Sequence, residues 1–310
     1  MFFIVPKTPL PMFALALHGG AGTLTRAEIT PQQEKDFHTG LRDCLDAGYA
    51  VLEQGGSALD AVEQAVIFLE NNPLFNAGRG SVFNAEGSHE FDAAIMDGTT
   101  LKAGAVAAVR GVRNPVTLAR AVMDRSENVL LAGPGAEDFA RLHGLPFEPD
   151  EYFFTDYRFQ EWRKAQLEAE HANVGKGTVG AVALDASGNL AAATSTGGIK
   201  AKKFSRVGDT PVIGGGTYAN NAACAVSCTG DGEFFIRAVA AYDVFALVSY
   251  RGLSLVEASR IVVQEKLRNL GGEGGLIAVD RQGNLALPFN GEGMYRAWRR
   301  EGEAGETAIF

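Results

Sequence analysis

Cysteine is scarce, with three residues in a chain of 310. So few exclude a disulfide scaffold, which needs a dense and even set. Cys224 and Cys228 share a strand-like run, where four residues of extended chain hold their Cα atoms ~13 Å apart, too far to bridge. None of the five histidines stands near them, so a zinc pair lacks its remaining ligands. The cysteines read as small buried thiols. Positive charge is also short. The 28 Lys and Arg stand against 37 Asp and Glu, a net charge of −9, which leaves no basic face for nucleic-acid phosphates. No window reaches the ~18 apolar residues of a membrane span. The apolar N-terminal pieces Phe2–Val5 and Phe13–Leu17 are separated by Lys7 and three prolines. The unbroken apolar stretch of ~7–15 residues that a signal peptide requires is therefore missing. The expected compartment is the cytoplasm, with no nucleic-acid or membrane partner.

What is present suits a folded protein. Hydrophobic residues make up 46% of the chain, enough to exclude disorder as its dominant state. The 38 glycines exceed the usual ~7% share and follow no collagen period, so they mark turns and close backbone approaches. Length alone predicts about two domains, or one large α/β or sandwich-like domain.

Along the chain, Phe13–Leu17 reads as a buried strand. Thr30-Pro31-Gln32-Gln33 is a helix start, with a Thr cap, Pro at the first position and Gln three residues after the cap. Apolar residues continue that helix to Gly55-Gly56, and Ser57 caps a second one ending near Asn71-Asn72-Pro73. Strand-like runs cover Glu90–Met96 and Ala103–Val109. Asn114-Pro115 opens a helix, and Leu130–Asp138 holds a further short element. From Asp156 to Gly177 charge crowds out periodicity, which reads as a linker or as a solvated helix over Phe159–Glu170 with Trp162 as its apolar contact. Thr178–Leu184 and Leu190–Thr196 flank Asp185–Asn189 as a hairpin, and the pattern recurs over Ala278–Ala286. Between these hairpins lie a strand, Ala222–Cys228, a helix from Gly232 to about Tyr250, and a helix capped by Ser254 with Glu257 three residues on.

Three threonines stand at the ends of strand-like runs: Thr178, Thr196 and Thr229. Strand ends hold functional groups still. A helix start after Thr229 would offer backbone N–H groups to an oxyanion. Arg206 and Asp209 flank a glycine, a spacing that more commonly marks a surface ion pair in a loop.

Gly177–Ala183, followed by Ala193–Gly198, resembles the plant-type L-asparaginase/isoaspartyl peptidase family of N-terminal-nucleophile hydrolases. His18-Gly19-Gly20-Ala21-Gly22, Pro73–Gly78, Arg206–Asp209 and Ser227–Gly230 are similar to the same family, in the right order across nearly the whole chain. The resemblance implies an α/β fold of the αββα sandwich type, made as a precursor. That precursor cuts itself at Gly177–Thr178 into an α subunit, 1–177, and a β subunit, 178–310, which together form one domain. The chemistry is coherent. The Thr178 hydroxyl attacks the Gly177 carbonyl, glycine tolerating the strain, and water hydrolyses the resulting ester. The freed α-amino group, with a reference pKa of ~7.7–8.0, then serves as base for its own hydroxyl, so no histidine is needed.

By the same resemblance, the mature Thr178 attacks the side-chain carbonyl of asparagine or the isopeptide carbonyl of a β-aspartyl dipeptide. Thr229 and the Gly230 N–H stabilise the oxyanion. Arg206 holds the α-carboxylate with its planar fork. Asp209 and the Gly232 carbonyl hold the α-ammonium, Thr196 supports the nucleophile, and Asn76 helps place it. The stretch Leu69–Arg79 resembles the family's sodium loop, with the carbonyls of Leu69, Glu70, Asn72, Phe75, Ala77 and Arg79 as ligands to a structural ion. The expected assembly is an (αβ)2 dimer of heterodimers. Two other readings stand beside this one. A glycosylasparaginase-like enzyme shares the catalytic residues, but such enzymes are typically secreted or lysosomal and disulfide-bonded. A non-enzymatic binder would hold phosphate in Gly-rich loops, but Gly133-Pro134-Gly135 and Gly230-Asp231-Gly232 lack the third glycine of a dinucleotide fingerprint.

Overall fold

A computed structural model describes residues 13–22, 26, 29–167 and 177–310. The expectations for Phe2–Val5 and for the end of the charged segment, 168–176, lie outside the described residues. The described residues form twelve strands: β1 (Ala14–Ala21), β2 (Phe91–Asp97), β3 (Ala103–Val109), β4 (Leu130–Ala132), β5 (Val179–Leu184), β6 (Leu190–Thr196), β7 (Thr217–Ala219), β8 (Cys224–Gly230), β9 (Gly274–Asp280), β10 (Leu285–Ala286), β11 (Met294–Arg300) and β12 (Glu306–Ala308). The helices are α1 (Pro31–Glu53), α2 (Ala58–Asn71), α3 (Pro115–Arg125), α4 (Gly133–Leu142), α5 (Asp150–Phe153), α6 (Asp156–Leu167), α7 (Gly232–Ala238), α8 (Ala240–Arg251), α9 (Leu255–Arg260) and α10 (Arg268–Leu270). A π-helical stretch, Ile261–Leu267, joins the last two.

The central strands are alanine- and valine-rich and buried on both faces, so each sheet must be covered twice. Eight strands pair in the order β12-β11-β1-β5-β6-β2-β3-β4, and four in the order β10-β9-β8-β7. The pleat sorts side chains between three apolar layers. Leu15, Leu17, Val179, Ala181 and Ala183 face outward into a core shared with α1, α2 and α3. Ala14, Ala16, Val182 and Leu184 face Ala225, Ile277 and Val279 of the small sheet. Cys224, Val226 and Cys228 face the helices on the far side. Helix, sheet, sheet and helix are thus stacked as an αββα sandwich, as the resemblance implied.

Local signals held where they were local. The Thr30 hydroxyl and the Gln33 side chain form a reciprocal capping box at α1, and Ser57 and Ser254 cap α2 and α9. The hairpins β5–β6 and β9–β10 are both formed. The three cysteines are buried and unbridged, and burial pushes the Cys224 thiol up to about 12.

Of the two readings of the charged segment, the solvated helix holds over its first part. Residues 156–167 form α6, whose Trp162 indole N–H donates to the Asn84 carbonyl at 2.9 Å and whose ring lies against Phe83 and Phe159. The helix from Gly232 to Tyr250 is two helices, broken at Val239, which takes a left-handed φ of 49°. The break lets the first N–H groups of the new helix, on Ala241 and Tyr242, donate to the carbonyls of Gly215 and Gly214. The element at Leu130–Asp138 is a short strand running into α4.

Helices α1 and α2 cross where Gly48 has no side chain. A β-carbon there would sit 2.8 Å from Ala65 Cβ and 2.9 Å from the Ala61 carbonyl oxygen, so the helices could not keep their spacing. Gly48→Val should cost about 1–3 kcal/mol through overpacking. Denaturant melts of the purified variant check this, and an unchanged midpoint would show that the crossing is not tight.

Candidate active site

The junction Gly177–Thr178 lies at the start of β5, buried between the sheets, with Thr178 6% exposed. β1 runs beside it. Gly20, at φ +117°, packs so closely that a β-carbon would lie 3.1 Å from the Gly177 Cα. The positive φ calls for glycine at position 20, and the tight space adds to that.

The Gly177 carbonyl accepts two hydrogen bonds, from Asn76 Nδ2 at 2.7 Å and from the Thr196 hydroxyl at 2.9 Å. The Thr178 hydroxyl donates to the same Thr196 oxygen at 3.3 Å, and the Gly198 N–H donates to it at 3.0 Å. Thr196 is thereby an acceptor for the attacking hydroxyl and a donor to the carbonyl beside it. Asn76 is itself fixed. Its second N–H donates to the Gly198 carbonyl at 2.7 Å, and its oxygen accepts from the Val82 N–H at 2.9 Å. Both N–H groups and one lone pair of that amide's oxygen are used.

Thr229, also buried, lies near the end of β8. Its oxygen accepts from the N–H of Ala21 at 3.2 Å, next to the glycine that packs on the junction, and its own O–H remains to donate. The expected helix follows, as α7 from Gly232 with Asp231 as its N-cap, but not directly from Thr229. β8 continues through Gly230, which pairs with Gly274, and the Asp231 N–H is spent on the Glu273 carbonyl at 2.9 Å.

Arg206, Asp209 and Gly232 form one cluster. A β-carbon at Gly232 would lie 2.8 Å from Arg206 Nη2 and 2.9 Å from Asp209 Oδ1. The surface pair between Arg206 and Asp209 is not formed. Arg206 instead places Nε and Nη2 each 2.7 Å from the carboxylate oxygens of Glu233. Asp209 is buried, its Oδ2 has no hydrogen-bond partner, and burial pushes its carboxyl up to about 7.

Two groups escaped the sequence reading. Glu70, expected only as a carbonyl ligand, is fully buried. Its carboxyl accepts from the Ser195 hydroxyl at 2.7 Å, the Val116 N–H at 2.9 Å and Asn114 Nδ2 at 3.0 Å, while burial raises it to about 7. It ties the end of α2 to β6, one residue before Thr196, and to the start of α3. His18 was read only as part of a glycine-rich motif, yet its Nδ1 stands 2.8 Å from the Thr178 carbonyl.

The Leu69–Arg79 segment fits a hard cation. Gly78 and Gly80 leave open the space where a β-carbon would collide with carbonyl oxygens, that of Glu70 at 2.6 Å from position 78, and those of Pro73 at 2.7 Å and Phe75 from position 80. A cradle of carbonyl oxygens suits sodium-like ions. The carbonyls of Leu69, Asn72, Phe75 and Ala77 each accept one backbone N–H, and a carbonyl oxygen keeps a second lone pair.

Comparison with known proteins gives the family. A family model described as Asparaginase matches residues 11–309. The chain is 53% identical over 306 residues to an isoaspartyl peptidase of Escherichia coli K12, covering 96% of this chain and 95% of the relative. It is 43% identical over 309 residues to a plant-type L-asparaginase of Pyrococcus abyssi (94% and 97% covered). It is 40% identical over 326 residues to a probable isoaspartyl peptidase/L-asparaginase of Arabidopsis thaliana (96% and 99% covered). With its fold, its ordered motifs and a match over nearly its whole length, the chain belongs to the asparaginase family.

Proposed function

We propose that this chain is a self-activating hydrolase of β-aspartyl dipeptides and of the L-asparagine side-chain amide, with Thr178 as nucleophile. The observation that carries the reading is the pair of donors, Asn76 and Thr196, on the Gly177 carbonyl, with the Thr178 hydroxyl bound to the same Thr196 oxygen. The names of the relatives, isoaspartyl peptidase and L-asparaginase, support the substrate class.

In the precursor the Thr178 oxygen adds to the Gly177 carbonyl carbon. Negative charge collects on the carbonyl oxygen, where the Asn76 amide and the Thr196 hydroxyl already donate. The C–N bond breaks, the nitrogen takes the hydroxyl proton, and an ester joins Gly177 to the Thr178 oxygen. Water hydrolyses the ester, leaving chain 1–177 and chain 178–310 as one sandwich. The free amine of Thr178, neutral in part near its reference pKa of ~7.7–8.0, takes the proton of its own hydroxyl in turnover. Thr229, with its O–H unspent, and the Gly230 N–H face the oxyanion of the substrate carbonyl. Arg206 takes the α-carboxylate, and Asp209 with the Gly232 carbonyl takes the α-ammonium. A bound monovalent cation would supply positive charge to the Leu69–Arg79 carbonyls and stiffen the loop that carries Asn76.

Among the described residues no helix is long and apolar enough to cross a membrane. Buried unbridged thiols suit a reducing compartment, and the cytoplasm is part of this proposal. Assembly as (αβ)2 rests on the resemblance.

The main test is a pair of variants. Thr178→Ala should stay one band on a denaturing gel and lose turnover, while the smaller wild-type fragment should begin Thr-Val-Gly-Ala-Val. Arg206→Ala should cleave normally, because no free carboxylate is involved. It should lose at least about tenfold in kcat/KM on β-aspartyl-leucine, since a charge-assisted contact contributes ~1.5–3 kcal/mol. A fragment starting elsewhere, or an active Thr178→Ala, overturns the assignment.

Asp209 yields a second test. Its folded pKa is raised from 3.8 to about 7, so its contribution to stability is complete below pH 4 and is lost as pH rises through 7. Asp209→Asn should therefore raise Tm at pH 8 by several degrees, at about 2–4 °C per kcal/mol for a large domain, and little at pH 4. Added L-aspartate should stabilise the wild type and not the variant. Equal melting curves at pH 8 would count against a desolvated carboxylate.

The cation is tested by exchanging sodium for a bulky organic cation. Tm should fall and precursor cleavage should slow, because the loop that would release the ion holds Asn76. Identical melts and identical cleavage rates would rule the ion out.

A further inference from the structure

A thread of polar side chains runs through the apolar layer between the sheets. It starts at the Thr178 carbonyl, 2.8 Å from His18 Nδ1. His18 Nε2 lies 2.9 Å from the Ser227 hydroxyl, which lies 2.7 Å from the Thr194 hydroxyl. Thr217 comes next, 2.7 Å from Thr194 and 3.1 Å from the carbonyl of Thr210, the neighbour of Asp209. All four side chains are fully buried.

The proton positions follow from one fact. A carbonyl oxygen can only accept, so Nδ1 carries the hydrogen. Nε2 then accepts from Ser227, Ser227 accepts from Thr194, and Thr194 accepts from Thr217. Burial holds the imidazole pKa down at about 3, so the ring is neutral at working pH and is no proton acceptor for the reaction. The chain makes room for the thread. A β-carbon at Gly180 would collide with the Ser227 hydroxyl and lie 2.7 Å from His18 Nε2.

We propose that His18 is a positioning residue for Thr178, its single tautomer locked by Ser227, Thr194 and Thr217 and its Nδ1–H fixing the Thr178 carbonyl. A nucleophile that carries its own base must hold amine, hydroxyl and Cα in one arrangement. After cleavage the N-terminal side of Thr178 is a free end. The carbonyl is then the backbone polar group through which the sheet interior can hold the residue, and a loose nucleophile loses rate without losing substrate affinity. The thread ends at Thr217, whose one hydrogen is given to Thr194. The proposal rests on Thr178 being the nucleophile.

The test uses an isosteric pair in the full-length chain. His18→Asn keeps an N–H donor at the δ position, and His18→Leu has the same shape and no donor. On β-aspartyl-leucine, His18→Leu should lose roughly tenfold or more in kcat with KM changed less than about twofold, as a lost buried hydrogen bond in the reacting geometry predicts. His18→Asn should return kcat to within about threefold of wild type. Equal losses in both variants, wild-type rates in both, or a change confined to KM overturns the proposal. A measurement on the wild type covers the case in which a variant does not fold. Nitrogen NMR of labelled histidine, with His18 assigned by its contact to Thr178, should show a protonated Nδ1 and a bare Nε2; the opposite tautomer overturns the proposal. Failure of the underlying reading looks different, because Thr178→Ala would then still turn over substrate.

Discussion

The Gly177 carbonyl is the point on which the site converges. Its two donors come from opposite sides of the junction in sequence, Asn76 from the loop after α2 and Thr196 from the end of β6. Thr196 reaches it because the two long strands at the sheet centre are paired in register, β5 with β6 through Val179 and Ser195. The carbonyl, the attacking hydroxyl and the group that bridges them are therefore placed by the same ladder that holds the sheet together. A strained or polarised peptide survives only where its surroundings over-determine it. Here Gly20 packs against one side, Asn76 is held by Val82 and Gly198, and Thr196 is pinned by the Gly198 N–H.

Glu70 shows how far that support reaches. A buried carboxyl with three donors joins α2, α3 and β6, and Ser195, which it binds, immediately precedes Thr196. Its backbone carbonyl faces the cradle left by Gly78. The loop carrying Asn76 and the strand carrying Thr196 are thus joined at the Gly177 carbonyl, beside it through Gly197 and Gly198, and beneath it through Glu70. Burying such a carboxyl costs stability, and the gain is a fixed relation between two segments that are far apart in the chain.

The parts legible in the sequence were those with local causes. The Thr30–Gln33 capping box, the Ser57 and Ser254 caps and the two Asp-x-x-Gly-Asn hairpins each arise within a few residues. The α7–α8 break was not legible, because its cause is the pair of carbonyls at Gly214 and Gly215 meeting the N–H groups of a helix that starts beyond position 239. Arg206 and Asp209 were visible as a motif, but Glu233 was not, since only folding brings it 27 positions back to Arg206. The His18–Ser227 contact spans 209 positions, and a lone histidine beside glycines carries no sign of what it will face. The signal that could have found Ser227 was parity: it shares a strand face with Thr229, two residues on, and so points between the sheets.

The two charged groups of the recognition cluster wait for substrate in different states, and the difference decides what they select. Arg206 is already paired, with a Glu233 carboxylate that is 59% exposed. Such pairs contribute about 0–1 kcal/mol, so a substrate carboxylate that takes over part of the fork displaces little. Asp209 is buried with one oxygen unpartnered, and an ammonium placed there both forms a charge-assisted hydrogen bond and relieves that oxygen. Bonds of that kind contribute about 1.5–3 kcal/mol, and the cost of leaving the group unpaired is removed as well. On the proposed reading, both contacts contribute to binding, and the free α-amino group is the one that also relieves a buried, unpartnered oxygen. An aspartyl residue linked through its β-carboxyl keeps that amine free at the start of a peptide. The same residue inside a chain does not, and it would leave Asp209 buried with nothing to bind.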